Sequence, residues 1–196
     1  MELKIQSQPI EQAEKFSVAH VNWNLDQYTP EVYAQVVYDE TGFDVKFVIK
    51  ESDPQTNWKN HLDPVCRDSC VEFFINFDPE HSDKYINFEV NAIGVMNVAL
   101  RSDRYNYEHF SMEDIESLHI TPVIEAEQWS VSYHVGLPLL QKKYPGFKME
   151  NCTYVKANMY KCGDDRRPKH YLSLFPVGTE GPDFHRPEYF GVIRLV

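Results

Sequence analysis

No stretch of this sequence comes near the roughly 20 consecutive apolar residues that span a bilayer as a helix, which excludes a helical membrane anchor. Basic side chains are also in short supply. Nineteen Lys and Arg against thirty Asp and Glu give a formal charge of −11, a field that repels nucleic-acid phosphates and anionic lipid. Neither nucleic acid nor membrane is therefore an expected partner, whereas a neutral ligand is indifferent to the charge. The opening MELKIQSQPIEQ has no basic segment followed by an apolar stretch, so a cytoplasmic location is the expectation, or an extracellular one if a leader has been removed.

Cysteine is sparse and unpatterned. Cys66 and Cys70 are spaced C-x3-C, and Cys152 and Cys162 are separated by nine residues; neither spacing is the C-x2-C knuckle of a structural zinc site. Buried, reduced thiols are expected, with a Cys66 to Cys162 disulfide as the lesser alternative. Catalytic signatures are missing as well: the chain has no G-x-S-x-G, H-E-x-x-H, G-x-x-x-x-G-K or G-x-G-x-x-G, and its eight His are scattered. No linker and no repeat divides residues 1–196, so a single domain is expected, long enough to bury a core without staples.

What is present is β patterning. VYAQVVYDETGFDVKFV, residues 32–48, alternates apolar and polar residues around a polar turn and predicts a hairpin. SCVEFFINFD, KYINFEVNAIGVMNVALR, WSVSYHVGL, TYVKANMYKC and FGVIRLV predict further strands. Residues 103–118 are the least β-like, and Ser111 with Asp114 forms a helix-opening box. Pro138 suits the start of a brief helix that Pro145 and Gly146 end. Many short strands without β-α alternation predict an all-β fold, an antiparallel β-sandwich of jelly-roll or immunoglobulin-like kind with one or two short helices.

Side chains alternate across a strand, so each predicted strand can be split into two faces. Ile86, Phe88, Val90 and Ala92 read as core, leaving Tyr85, Asn87, Glu89 and Asn91 opposite. Val155, Ala157 and Met159 point inward, and Lys156, Asn158 and Tyr160 outward; Val71, Phe73, Ile75 and Phe77 oppose Glu72 and Phe74. If these strands share a sheet, its outer face gathers carboxylates, amides and phenols. Such groups suit sugar hydroxyls, and aromatic rings suit the apolar faces of sugar rings, although a polar outer face is also what any half-solvated antiparallel sheet shows. Trp58 stands alone in a polar loop, either as a ligand platform or as a lid on the core; Trp23 and Trp129 read as packing residues.

Three stretches go beyond generic patterning: RDSCVEFFINF from Arg67, KYINFEVNAIG from Lys84, and ANMYKCG from Ala157 followed by HYLSLFP and PDFHRPEYFGVIRL. Together they resemble the family 9 carbohydrate-binding modules, in the family 9-like branch, from about Phe16 to the C-terminus. The resemblance implies a DOMON-like β-sandwich associated with glycoside hydrolases that degrade xylan and cellulose. It also implies non-catalytic binding of a terminal sugar of a xylo- or cello-oligosaccharide, clamped between two aromatic rings. Trp58 would be the first ring and Phe175, where relatives carry Trp, the second. Arg67, Glu72, Asn87, Glu89, Asn91, Asn158 and Tyr160 complete the predicted ligand-binding set, and His185 in PDFHRPEYFG reads mainly as architectural. The resemblance allows structural calcium, for which DPEHSD and GDD are oxygen-rich loops without EF-hand spacing. Two alternatives stand beside it: a glycoside hydrolase with Glu72 and Glu89 about 5 to 5.5 Å apart, and a protein-interaction sandwich that has lost sugar binding.

Overall fold

The computed structural model describes residues 2–23 and 28–196. Three short strands open the chain, β1 (Glu2–Ile5), β2 (Phe16–Ser17) and β3 (His20–Val21). The predicted hairpin follows as β4 (Glu31–Asp39) and β5 (Gly42–Lys50), with Asp39 opposite Gly42. Gly42 has φ +146°, and a Cβ there would sit 2.2 Å from the Val135 carbonyl oxygen. Only glycine lets the neighbouring strand approach so closely.

The remaining strands are β6 (Cys70–Asn76), β7 (Tyr85–Asn91), β8 (Met96–Arg101), β9 (Tyr107–His109), β10 (Thr121–Ile124), β11 (Trp129–Gly136), β12 (Tyr154–Cys162), β13 (Tyr171–Ser173) and β14 (Gly191–Leu195). They form two sheets. The larger runs β1-β14-β12-β6-β7-β8-β9, with β13 pairing the end of β12 and also β3; the smaller runs β10-β11-β5-β4-β2. Every described pair is antiparallel except β1 with β14, a departure from the purely antiparallel expectation that joins the two ends of the chain.

The facing sides of the two sheets are apolar, as the alternation requires. Phe73 and Ile75 on β6, Phe88 and Val90 on β7, and Ala157 and Met159 on β12 meet Val45 and Phe47 on β5 and Val131 and Val135 on β11 in one buried core. Each large side chain there contributes on the order of 1.5–3 kcal/mol by leaving water. Two short helices close the ends. In α1 (Met112–Glu116) the Ser111 hydroxyl accepts from the Asp114 amide while the Asp114 carboxylate accepts from the Ser111 amide, the reciprocal box predicted from sequence. α2 (Leu137–Lys143) carries Pro138 in its first turn, where no intrahelical partner for an amide is lost. No helix among the described residues is long and apolar enough to cross a membrane.

The outer face of the larger sheet is not open to water. Cys70, Phe74, Tyr85, Tyr160 and Cys162 point outward and are buried in a second cluster with Val65, Val95, Tyr171, Val177 and Phe184. The loop before β6 and the segment between β13 and β14 roof this face. The Asp68 carboxylate, accepting from the Asn57 and Trp58 amides at 2.8 and 3.0 Å, pins the first of these. The polar row on this face is therefore an interior layer, and a cleft among the described residues opens it to solvent.

Candidate functional site

That opening is a cleft of about 340 Å³, within the ~300–1,000 Å³ range of small-molecule sites. Its floor is the sheet itself. Glu72 on β6 and Glu89 on β7 are register partners, both buried, and both line the cleft with Cys162 of β12. Three aromatic rings form a wall: Trp23 meets Tyr171 edge-on at 5.7 Å and Phe184 at 5.3 Å, and Phe184 stacks on Tyr160 at 4.0 Å. The Trp23 indole N–H donates to the Thr179 carbonyl at 2.7 Å, which fixes the ring although its backbone is left-handed at φ +37°. Strain of that kind persists where surroundings over-determine it. The rim carries both signs of charge, with Asp164 and Lys169 on one side and Arg104 bonded to Asp183 at 2.6 Å on the other.

Burial dominates the floor's electrostatics. Desolvation, and then the neighbouring Glu89, push the Glu72 carboxyl well above the ordinary carboxylate range. Glu89 is also raised by burial, against the opposing pull of Arg101 and hydrogen bonds from Asn87 at 2.8 Å and Asn97 at 3.2 Å. His185 is pushed down to about 3 by burial and by Arg101 and Arg104, so it is neutral at physiological pH; its Nδ1 lies 3.1 Å from the Tyr85 hydroxyl. Carboxyl oxygens accept hydrogen bonds from hydroxyls, and a neutral imidazole donates through one nitrogen and accepts through the other. The floor can thus satisfy hydroxyl groups in either sense, beneath an apolar wall. A larger groove of about 640 Å³ lies by Tyr38, Leu137 and Met149, but none of its lining residues is buried, so no polar group there is held in the interior as Glu72 and Glu89 are.

Of the predicted ligand-binding residues, Glu72 and Glu89 line the cleft. Asn87 lies behind them, accepting from the Arg101 Nε at 2.6 Å and donating to Glu89, so it orients the carboxyl. Tyr160 is the buried ring on which Phe184 stacks. Asn91 is fully engaged within the protein: its amide donates to the Trp58 carbonyl and to Asp68, and its oxygen accepts from the Val95 amide. Asn158 is likewise committed, pairing both backbone groups of Phe175 at 3.0 Å. Arg67 is exposed, faces Asp165 at 3.8 Å and does not line the cleft, although its neighbour Cys66 does.

The two-ring expectation is corrected. Phe175 is 6% exposed and lies in the core between the sheets. A Cβ on Gly191 would fall 2.3 Å from its Cε2, so the ring occupies the space that glycine leaves. Trp58 packs half-buried against the outer cluster instead. The two rings therefore lie on opposite sides of the large sheet, and neither lines the cleft. Trp23, Tyr171, Phe184 and Arg104 are among those that do, and sequence reasoning assigned them to packing or passed over them; His185, read mainly as architectural, also lines the cleft. Only PDFHRP carried a signal, since it marked the segment that holds Phe184 and His185.

The oxygen-rich loops do not gather a calcium cage from their side chains. Asp78 is bonded to His81 at 2.7 Å, Asp164 accepts from the Tyr171 hydroxyl at 2.7 Å, and Asp165 faces Arg67. All four cysteines are free thiols, so Cys66 and Cys162 are not joined by a disulfide.

Residues 6–195, nearly the whole chain, match the model for carbohydrate-binding family 9. The chain belongs to that family. It is a family 9 binding module and not an enzyme. Its fold is shared with a carbohydrate-binding protein candidate from Bacteroides uniformis, at TM-score 0.83 and 22% identity over 100% of this chain and 98% of that one. Family 9 modules from Caldicellulosiruptor kristjanssonii are similar at 11% identity: one in complex with cellotriose (TM-score 0.68, 100% and 93% covered) and one in complex with glucose (0.70, 100% and 96%). No curated protein matches the module closely enough to lend it a narrower role.

Proposed function

We infer that the cleft over Glu72 and Glu89 holds a terminal sugar of a xylo- or cello-oligosaccharide, with Trp23 as its stacking ring. The observation that carries this reading is the convergence of one partly exposed, anchored indole with two buried carboxyls in a solvent-accessible cleft of about 340 Å³. Family membership and the cellotriose and glucose complexes of the related modules support it. An indole face packs on the C–H side of a pyranose ring. Beneath it, the floor carboxyls and His185 exchange hydrogen bonds with hydroxyls, while Arg104 and Lys169 offer donors at the rim. Because these groups are held by Asn87, Asn97, Tyr85 and Thr179 before any ligand arrives, little ordering is required on binding.

The test is a fluorescence titration with xylo- and cello-oligosaccharides, native and borohydride-reduced. Saturable binding is expected, weakened about ten-fold or more by Trp23→Ala, a loss of about 1.4 kcal/mol. Loss of binding on reduction would assign the reducing-end ring to the cleft. Binding that survives Trp23→Ala and disappears in Trp58→Ala would refute the assignment.

A further inference from the structure

Cys70 and Cys162 are register partners across β6 and β12, and Glu72 lies two residues beyond Cys70 on the same outward face. Strand pairing thereby gathers three metal-ligating side chains that the sequence spaces widely. One donor atom from each lies within 4.8 Å of the other two, and no other such group of His, Cys, Asp and Glu forms among the described residues. The Cys162 thiol already donates to Glu72 Oε1 at 2.8 Å. All three side chains are buried, yet Glu72 and Cys162 line the cleft, so a path from solvent reaches them.

The geometry points to a site for a thiophilic divalent cation of the zinc class, ligated by the Cys70 and Cys162 thiolates and the Glu72 carboxylate, with its fourth position opening on the cleft. Tetrahedral zinc with bonds of about 2.3 Å to sulfur and 2.0–2.2 Å to oxygen separates two thiolates by roughly 3.8 Å, and thiolate from carboxylate oxygen by roughly 3.6 Å. The present spacing needs side-chain adjustments of about 1 Å or less, with the thiol–carboxyl hydrogen bond giving way. Binding forms two metal–sulfur bonds and one metal–oxygen bond, and the protons of both thiols and of any protonated Glu72 pass to solvent. Two sulfur donors select against calcium and magnesium. The site shares Glu72 with the cleft, but its argument does not rest on sugar being the ligand there.

Cobalt(II) titration of the reduced, metal-free full chain, without sugar, tests it. A thiolate-to-cobalt charge-transfer band that saturates at one equivalent and is displaced by zinc is expected. Cys70→Ser and Cys162→Ser should abolish the band, Glu72→Gln should weaken binding about ten-fold or more, and Cys152→Ser should leave it unchanged. Should the buried variants not fold, X-ray absorption of the zinc-loaded wild-type chain decides, with sulfur scatterers at roughly 2.3 Å expected. A shell of oxygen and nitrogen alone, or a band absent with cobalt in excess, would overturn the site. Sugar titrations in the presence of a chelator read the cleft separately, so either assignment can fail without the other.

Discussion

Phe175→Ala removes a buried ring whose edge fills the space over Gly191 and whose backbone is clasped by Asn158. Truncating a core phenylalanine costs the transfer energy of the lost atoms and a cavity term, together about 3–5 kcal/mol. Gly191 and its neighbour Ala157 on β12 have little side chain with which to fill the hole, which argues for the upper half of that range. In a chain of this length each kcal/mol lowers Tm by roughly 2–4 °C, so a fall of about 8–20 °C is expected. Affinity for oligosaccharide, measured well below the lowered Tm, should stay within about two-fold of wild type, since the ring is separated from the cleft by the sheet. Phe175→Trp should also destabilise, by about 1–3 kcal/mol, through overpacking against Gly191. Calorimetric scans and titrations of the two variants separate these effects. An unshifted Tm combined with abolished binding would refute the placement of Phe175 in the core.

Asn91→Ala should cost about 2–3 kcal/mol, because it removes a buried amide that serves the Trp58 carbonyl, Asp68 and the Val95 amide, and thermal melts will read it. His185 has a folded-state pKa depressed to about 3 from 6.5. The unfolded chain therefore binds the extra proton, and stability from this residue, complete above pH 6.5, is lost as pH falls toward 3. His185→Gln should flatten that slope in Tm measured against pH. Glu72 behaves oppositely: burial raises its folded pKa, so the folded state holds the proton and stability declines as pH rises above about 4.5. Glu72→Gln should be relatively more stabilising at neutral pH than at pH 4, and a constant difference between the two proteins would contradict the burial of its charge.

Strand identity was legible wherever alternation was long. The β4–β5 hairpin, the inward rows of β6, β7 and β12, and the α1 box all formed as read, because local pattern and tertiary burial agree there. β1, β2, β3 and β13 are two to four residues long, and their pairings join distant parts of the chain. No local period marks such strands. Alternation also told which side chains leave the core, but not that a second layer covers them. Asn91 and Asn158 therefore looked available when the roof loops engage their amides. Glu72 and Glu89 were readable as site residues because a strand face is a local property. Trp23 and Phe184 sit in connecting segments, where contacts alone fix the direction of a ring.

The chain has three tryptophans, each with a different environment, and their indole N–H resonances give the most direct test of where sugar sits. In an NMR titration with cellotriose, the Trp23 signal should shift saturably while that of Trp129, buried and bonded to Glu51 at 2.9 Å, stays fixed. A saturable shift confined to Trp58, with Trp23 unmoved, would contradict the account.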